Sequence, residues 1–598
     1  MAKELLKREE VRIEDTWKVE DMYADAQAWE NDLAKVAEIA KKIVSMEGKL
    51  GNAENLFQTL EWYAQAGQKV ELAYNYAERL FDQDQTNTKH QAMSAKVMSL
   101  YAQLGSEIAF LEPEIVALED AQLESFYQTK PELELYRGHI DEIRRMKAHC
   151  LSAELEKLLA QTAEMSQVAS DTFSILNNAD FKFPEMQDED GETIRLTHGR
   201  YGIMLESADR RVRREAFEKL YSVYAQYNKT LASLYNGQVK SQIFYAKAKK
   251  YNSTLEAAVD RNNVSPQVYQ NLVDTVGAHV DLMHRYVRLR KKCLGLDELH
   301  MYDIYTPMIP GIAKKVSFEE AKETVLKALA PLGEDYLAKL REGFENRWID
   351  VYENEGKRSG AYSAGVYGTH PYVLLNHNDT LDSMFTLAHE MGHALHSCYS
   401  NENQPYIYAD YKIFVAEVAS TTNEILLMEY LLKNTTDDKE RAYLLNHYLD
   451  SFKGTIFRQT QFAEFEMKSN ALCENGESLN AENLNEMYYA LNQKYYGPDI
   501  VSDEQIAYEW ARIPHFYYNF YVYQYATSFS ASVAIAKAIL REGAPAVERY
   551  KKFLSGGCSK SPVELLKIAG VNMETPEPIE AAMKAFEEIL GELEKLIG

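Results

Sequence analysis

Along most of the chain, apolar residues return every third or fourth position, the spacing of an amphipathic helix. AENLFQTLEWYAQAGQKVELAYNYAERL (53–80) shows it, as does PELELYRGHIDEIRRMKAHCLSAELEKLLAQTAEMSQVASDTFSILNN (131–178). Glycine and proline are sparse, 28 and 15 in 598 residues, so few helices are interrupted. There is no fixed-period repeat, which argues against a solenoid. Two segments break the pattern. FKFPEMQDEDGETIRLTHGRYGIMLES (181–207) sets a DG turn between short β-prone runs and predicts a hairpin. GKRSGAYSAGVYGTHPYVLLNHNDT (356–380), rich in Gly, Tyr and Val, predicts one or two strands with tight turns. The expected fold class is therefore mainly α, with a little β structure.

A chain of 598 residues exceeds what one hydrophobic core usually spans. Two parts are expected, a helical N-terminal lobe over 1–195 and a larger catalytic domain over 196–598. Composition narrows the class. Hydrophobic residues make up 46% of the sequence, which suits a folded protein. A net charge of −26 disfavours nucleic acid and anionic membranes as partners. The opening MAKELLKREEVRIEDTWKVEDMY is charged throughout and does not resemble a signal peptide. No apolar run is long enough for a membrane span. Five cysteines without a CxxC pair fit free thiols in a reducing compartment, so a cytoplasmic location is expected. The oligomeric state is left open.

Candidate chemistry changes the picture at LDSMFTLAHEMGHALHSCY (381–399). His389 and His393 stand one helical turn apart on one face, about 6 Å along the axis. Two imidazoles so spaced can meet one Zn²⁺, with Glu390 one position round the helix and free to act as a base. Gly392 is expected to keep the helix slim where substrate approaches. His396 lies a turn further on and is left out of the site. A catalytic zinc usually has three protein ligands and an open position. The next helical stretch, YKIFVAEVASTTNEILLMEYLLKN (411–434), buries Glu417 in an apolar run, with Glu424 two turns further along the same face. A buried carboxylate needs a cation or hydrogen bonds. Glu417 as third ligand, and Glu424 as acceptor from a ligand histidine, would meet that need. The alternative is that Glu417, Thr421 and Glu424 form the solvated stripe of an ordinary helix.

HEMGH followed by Glu417 in FVAEVAST resembles the gluzincin metallopeptidases. Within them it is most similar to the thimet-oligopeptidase-like family, and there to the oligoendopeptidase F type. EDTWKVEDMY (14–23), GKRSGAYSAGVYGTHPYVLLN (356–376) and RIPHFYYNFYVYQYATSFSAS (512–532) extend the likeness in the same order. The resemblance implies a two-lobed helical fold with a small sheet beside the active site and a deep channel that excludes folded proteins.

HFYYNFYVYQYATS holds seven aromatic residues and starts at His515. Most of its rings are expected to pack, but so many tyrosine hydroxyls also suggest a polar cavity wall. The family pattern has a histidine followed by tyrosines that bind the substrate and the developing oxyanion. It falls on His515, Tyr518 and Tyr525, across an assumed two-residue gap. Tyr521 or Tyr523 could replace either tyrosine. GVYGTHPYVLLNHN (365–378) reads as an extended strand. The resemblance implies an edge that pairs with the peptide backbone, with Tyr367, Gly368 and His370 as contacts. The alternative is a plain surface hairpin.

The expected function is a zinc-dependent endopeptidase acting on short peptides, with one Zn²⁺ per chain. Two rivals are an exopeptidase of the peptidyl-dipeptidase or carboxypeptidase type, and a silent helical protein that binds peptide or metal without turnover.

Overall fold

The computed structural model describes residues 5–309, 311 and 315–597. It is 72% helix and 3% strand, as the helical spacing predicts. Two compact units emerge, each assembled from three separate stretches of chain. The first comprises Met1–Cys150, Lys314–Tyr430 and Ile535–Gly570. The second comprises Leu151–Ala313, Leu431–Ala534 and Val571–Gly598. None of these cuts falls at 195/196, where the texture of the sequence changes.

In the first unit, helices Ala26–Val44, Ala53–Asp82 and Thr88–Glu107 each begin at a capping side chain. Asp25, Asn52 and Asn87 accept N–H groups that the first helical turn leaves unpaired. Trp29, Val36, Leu56, Leu60 and Val97 are buried between these helices. Tyr372 and Leu374, from a three-stranded sheet, join the same core. In that sheet Tyr372–Leu374 is central, antiparallel to Tyr362–Ala364 and parallel to Ile349–Asp350. The signature stretch near the start closes one side. Val351 donates its N–H to the Asp15 carbonyl, Lys18 donates to the Arg347 carbonyl, and Trp17 is buried. Tyr362–Ala364 is thereby left as the edge strand.

The second unit is built along the helix Arg210–Ala248, whose buried face includes Leu220, Tyr224, Leu231 and Tyr235. The predicted hairpin is present. Glu185–Gln187 pairs antiparallel with Thr193–Arg195, and Gly191 takes the positive φ (+81°) that the turn requires. Among the described residues, no helix is long and apolar enough to cross a membrane.

Candidate metal centre and tyrosine cluster

The helix Leu381–Asn403 begins at Thr380, whose hydroxyl accepts the Ser383 N–H at 3.1 Å. Its next turns carry His389 and His393, whose Nε2 atoms converge to 3.2 Å. Glu417 reaches the pair from the helix Ile413–Asn434. Its Oε2 lies 3.4 Å from His389 Nε2 and 3.5 Å from His393 Nε2. A tetrahedral ion with bonds of about 2.0–2.1 Å has donor–donor edges of about 3.3–3.4 Å. The three observed edges therefore match one face of such a site and leave the fourth position open. Among the described residues, this is the one His/Cys/Asp/Glu group suited to hold a metal ion.

The electrostatics agree with the geometry. Burial alone would lower the His389 pKa, yet hydrogen bonds to Glu417 and Glu424 raise it well above the imidazole range. Burial alone would raise Glu417, yet His389 and His393 hold it well below the carboxylate range. The His389 shift means that the carboxylates make the centre favour positive charge, which a divalent ion would supply, and the Glu417 shift keeps that carboxylate ionised. Glu424 Oε1 sits 3.4 Å from His389 Nδ1, on the far side of the ring from Glu417. That contact fixes the tautomer with Nε2 turned toward the centre. Glu390 is buried and carries no ligand atom of the triangle. Burial pushes its carboxyl upward, and Glu417 and Glu424 push the same way against the two histidines.

Of two residues that sequence reasoning passed over, Asn423 ties neighbouring helices together and Ser420 braces Glu417 on its own helix. Asn423 donates Nδ2–H to the Ala388 carbonyl at 3.1 Å and accepts the Tyr336 hydroxyl at 3.0 Å. Ser420 donates to Glu417 Oε2 at 3.2 Å. Neither carries a signal beyond its place in the polar run STTNE. Gly392 has a different role from the one expected of it. A Cβ there would lie 2.5 Å from Ser420 Cα and 2.8 Å from the Ala419 carbonyl oxygen. The glycine thus lets the two ligand helices touch and does not clear space for substrate. Thr421 is buried while the Glu417 and Glu424 side chains are each 34% exposed, so the stripe 417–421–424 is only partly solvated. His396 stacks on Tyr411 (3.7 Å between centroids, 6°), and burial drives its pKa down to about 3. It is a core histidine.

The stretch around Tyr367 is not the single strand expected. Tyr367 and Gly368 form the turn between Tyr362–Ala364 and Tyr372–Leu374, with Gly368 at φ +88°. Tyr367 donates its hydroxyl to the Gln404 carbonyl at 3.2 Å. His370 is stacked on Trp348 (5.4 Å, 3°), with Nε2 3.4 Å from Asp21. The pleat fails here because Gly368 and Pro371 bracket only two residues, Thr369 and His370.

In the second unit His515, Tyr518, Tyr521 and Tyr525 form one cluster of rings. The His515 ring is stacked with Tyr521 (5.9 Å, 17°) and edge-on to Tyr518 (5.6 Å) and Tyr525 (6.1 Å). Burial lowers the His515 pKa. Tyr518 is 54% exposed. Tyr523, one of the alternatives, lies apart from the cluster, buried against Tyr269 at 4.9 Å.

Comparisons with known proteins identify the family. Residues 203–585 match Peptidase family M3, and residues 114–183 match the Oligopeptidase F family. The chain is 49% identical over 597 residues to Oligopeptidase PepF of Bacillus subtilis (strain 168), spanning all of this chain and 89% of that one. It is 43% identical over 592 residues to an oligoendopeptidase F homolog of Lactococcus lactis, spanning 99% and 98%. The crystal structure of oligoendopeptidase-F from Enterococcus faecium superposes with a TM-score of 0.76 at 42% identity, over 96% of this chain and 99% of that one.

Proposed function

The chain belongs to peptidase family M3 and is a metalloendopeptidase, and from that premise we propose that it cuts internal bonds of short peptides using one zinc ion on His389, His393 and Glu417. The observation that carries the proposal is the donor triangle with 3.2–3.5 Å edges beside a buried, unliganded Glu390. When bound, zinc supplies Lewis acidity, polarising a carbonyl and acidifying water.

The chain's own residues do the rest. Glu390 accepts the proton of the attacking water and passes it to the leaving amine nitrogen, a role suited to a carboxyl raised by burial. Glu424 orients His389 through Nδ1. His515, Tyr518 and Tyr525 donate hydrogen bonds to substrate and oxyanion, a contribution of about 3 kcal/mol per donor. Tyr362–Ala364 has no backbone partner on its outer edge among the described residues. It offers that edge to the peptide backbone, and Tyr367, Gly368 and His370 contact substrate beyond its end. The same reading assigns the catalytic part to 196–598 and a helical lobe to 1–195. Free thiols at all five cysteines support a cytoplasmic setting.

Digestion of a graded-length peptide mixture by the zinc-loaded protein, read by mass spectrometry, tests the proposal. Internal cuts limited to short peptides, and retained when the C-terminus is amidated, are expected. Trimming that stops on amidation would identify an exopeptidase, and intact peptides with zinc bound would identify a binding protein.

A further inference from the structure

The backbone that carries the tyrosine cluster is strained, and one buried side chain holds it. Asn519 and Phe520 both adopt left-handed conformations, with φ of +59° and +55°. Asparagine tolerates that region, but for a bulky residue such as Phe520 it is a marked outlier. Something must therefore over-determine the turn.

On one side, Tyr517 is clamped. Its ring stacks on Phe173 (4.5 Å, 20°), and its carbonyl accepts the Gln238 Nε2–H at 3.1 Å. On the other side, the Phe520 ring lies edge-on to Tyr269 at 5.6 Å, and its N–H is given to Glu466 Oε1 at 2.6 Å. Glu466, on the helix Arg458–Glu474, is fully buried. Its Oε2 has no hydrogen-bond partner among the described residues, and it forms no ion pair there. Burial pushes this carboxyl up to about 8. A carboxyl group placed at such cost, with the Phe520 N–H as its one side-chain hydrogen-bond partner, needs a reason beyond packing, since an apolar residue would fill the space at less expense.

We propose that Glu466 is a positioning residue for peptide hydrolysis: its side chain holds the Asn519–Phe520 turn, and the turn sets His515, Tyr518, Tyr521 and Tyr525 in one arrangement. The inference rests on the reading that this cluster serves the reaction. Glu466 itself touches no reacting atom. It acts through the backbone, by giving the left-handed Phe520 an acceptor that no water can replace in the core.

The test compares Glu466→Gln, which keeps a carbonyl acceptor, with Glu466→Leu, which keeps the bulk and loses the acceptor. Glu466→Leu is expected to lower kcat about ten- to a hundredfold, the effect of losing one buried hydrogen bond to such a group. KM should change by no more than about twofold, and Glu466→Gln should restore kcat to about the same margin. Unchanged kcat in Glu466→Leu, or equal impairment in both variants, overturns the proposal. The wild-type chain tests the contact without any substitution, which covers a leucine variant that does not fold. By hydrogen exchange the Phe520 amide should be protected as well as core helix amides, whereas exchange at loop rates overturns the proposal. A wild type that cleaves no peptide would sink the functional reading and leave the exchange result to judge the hold of Glu466 on the turn.

Discussion

Replacing Gly392 with alanine adds one methyl group and touches no metal ligand, yet it should loosen the metal centre. The new Cβ would stand 2.5 Å from Ser420 Cα and 2.8 Å from both the Ala419 oxygen and the Ser420 nitrogen. Carbon atoms rest at about 3.5–4.0 Å, so the helices must part by about 1 Å. Backbone atoms cannot swing aside as a side chain would. Glu417 rides on the helix that moves, three residues before Ser420. Its two edges to the histidines, 3.4 and 3.5 Å, would grow toward about 4.4 Å, while the His–His edge stays at 3.2 Å. The point equidistant from all three donors is then about 2.4 Å from each, beyond the zinc range of about 2.0–2.1 Å. Overpacking at this contact should cost about 1–3 kcal/mol of stability. Metal affinity should fall about 10- to 100-fold, as when a supporting residue is lost. Competition against a chromophoric chelator reads the affinity, and calorimetry reads the stability. A Gly392→Ala protein that binds zinc as tightly as the wild type would refute the reasoning, since neither the close helix contact nor the Glu417 ligand could survive that result.

Other perturbations separate the remaining roles. Glu390→Gln should bind zinc stoichiometrically and lose turnover about 10²- to 10⁴-fold, and comparable activity would remove Glu390 as the base. Glu424→Ala should weaken zinc about 10- to 100-fold through loss of the His389 Nδ1 contact, measured by the same chelator competition. Tyr525→Phe should lower kcat more than it raises KM, and an unchanged kcat would remove Tyr525 from the oxyanion role. Glu466 also predicts a pH effect on stability. Its folded carboxyl is raised from 4.5 to about 8, so the folded chain holds the proton more tightly than the unfolded chain. That contribution is complete below about pH 4.5 and is lost as pH rises through about 8, with an upper limit of about 5 kcal/mol. The stability of Glu466→Gln relative to wild type should therefore improve between pH 5 and pH 8.5, as calorimetry at both values would show.

The helical class and the 181–207 hairpin were legible because both are local. A 3.6-residue stripe or a DG turn needs no distant partner to be recognised. His389, His393 and Glu390 were legible for the same reason, since one helix brings them together. Glu417 needed one further step, that a carboxylate inside FVAEV must be paid for by a cation. What stayed hidden depends on contacts distant in sequence. Gly392 looks like open space on its own helix, and only the approach of Ser420 shows why no side chain fits. The Tyr367–His370 stretch reads as strand by composition, yet Gly368 and Pro371 turn it, and the edge passes to Tyr362–Ala364. In the aromatic run, Tyr521 and Tyr523 differ by two positions in sequence. One stacks with His515 and the other is buried against Tyr269, a choice made by the left-handed pair at 519–520. No propensity predicts Phe520 in that conformation, because its cause is Glu466, fifty-four residues earlier.

The most direct test of the central claim is a zinc titration of chelator-stripped protein against a short, C-terminally amidated peptide, with cleavage sites mapped at each step. Internal cleavage should rise in proportion to zinc, saturate at one ion per chain, and stay absent throughout in Glu390→Gln. Cleavage by the stripped protein, or equal cleavage by Glu390→Gln at full zinc occupancy, would contradict the account.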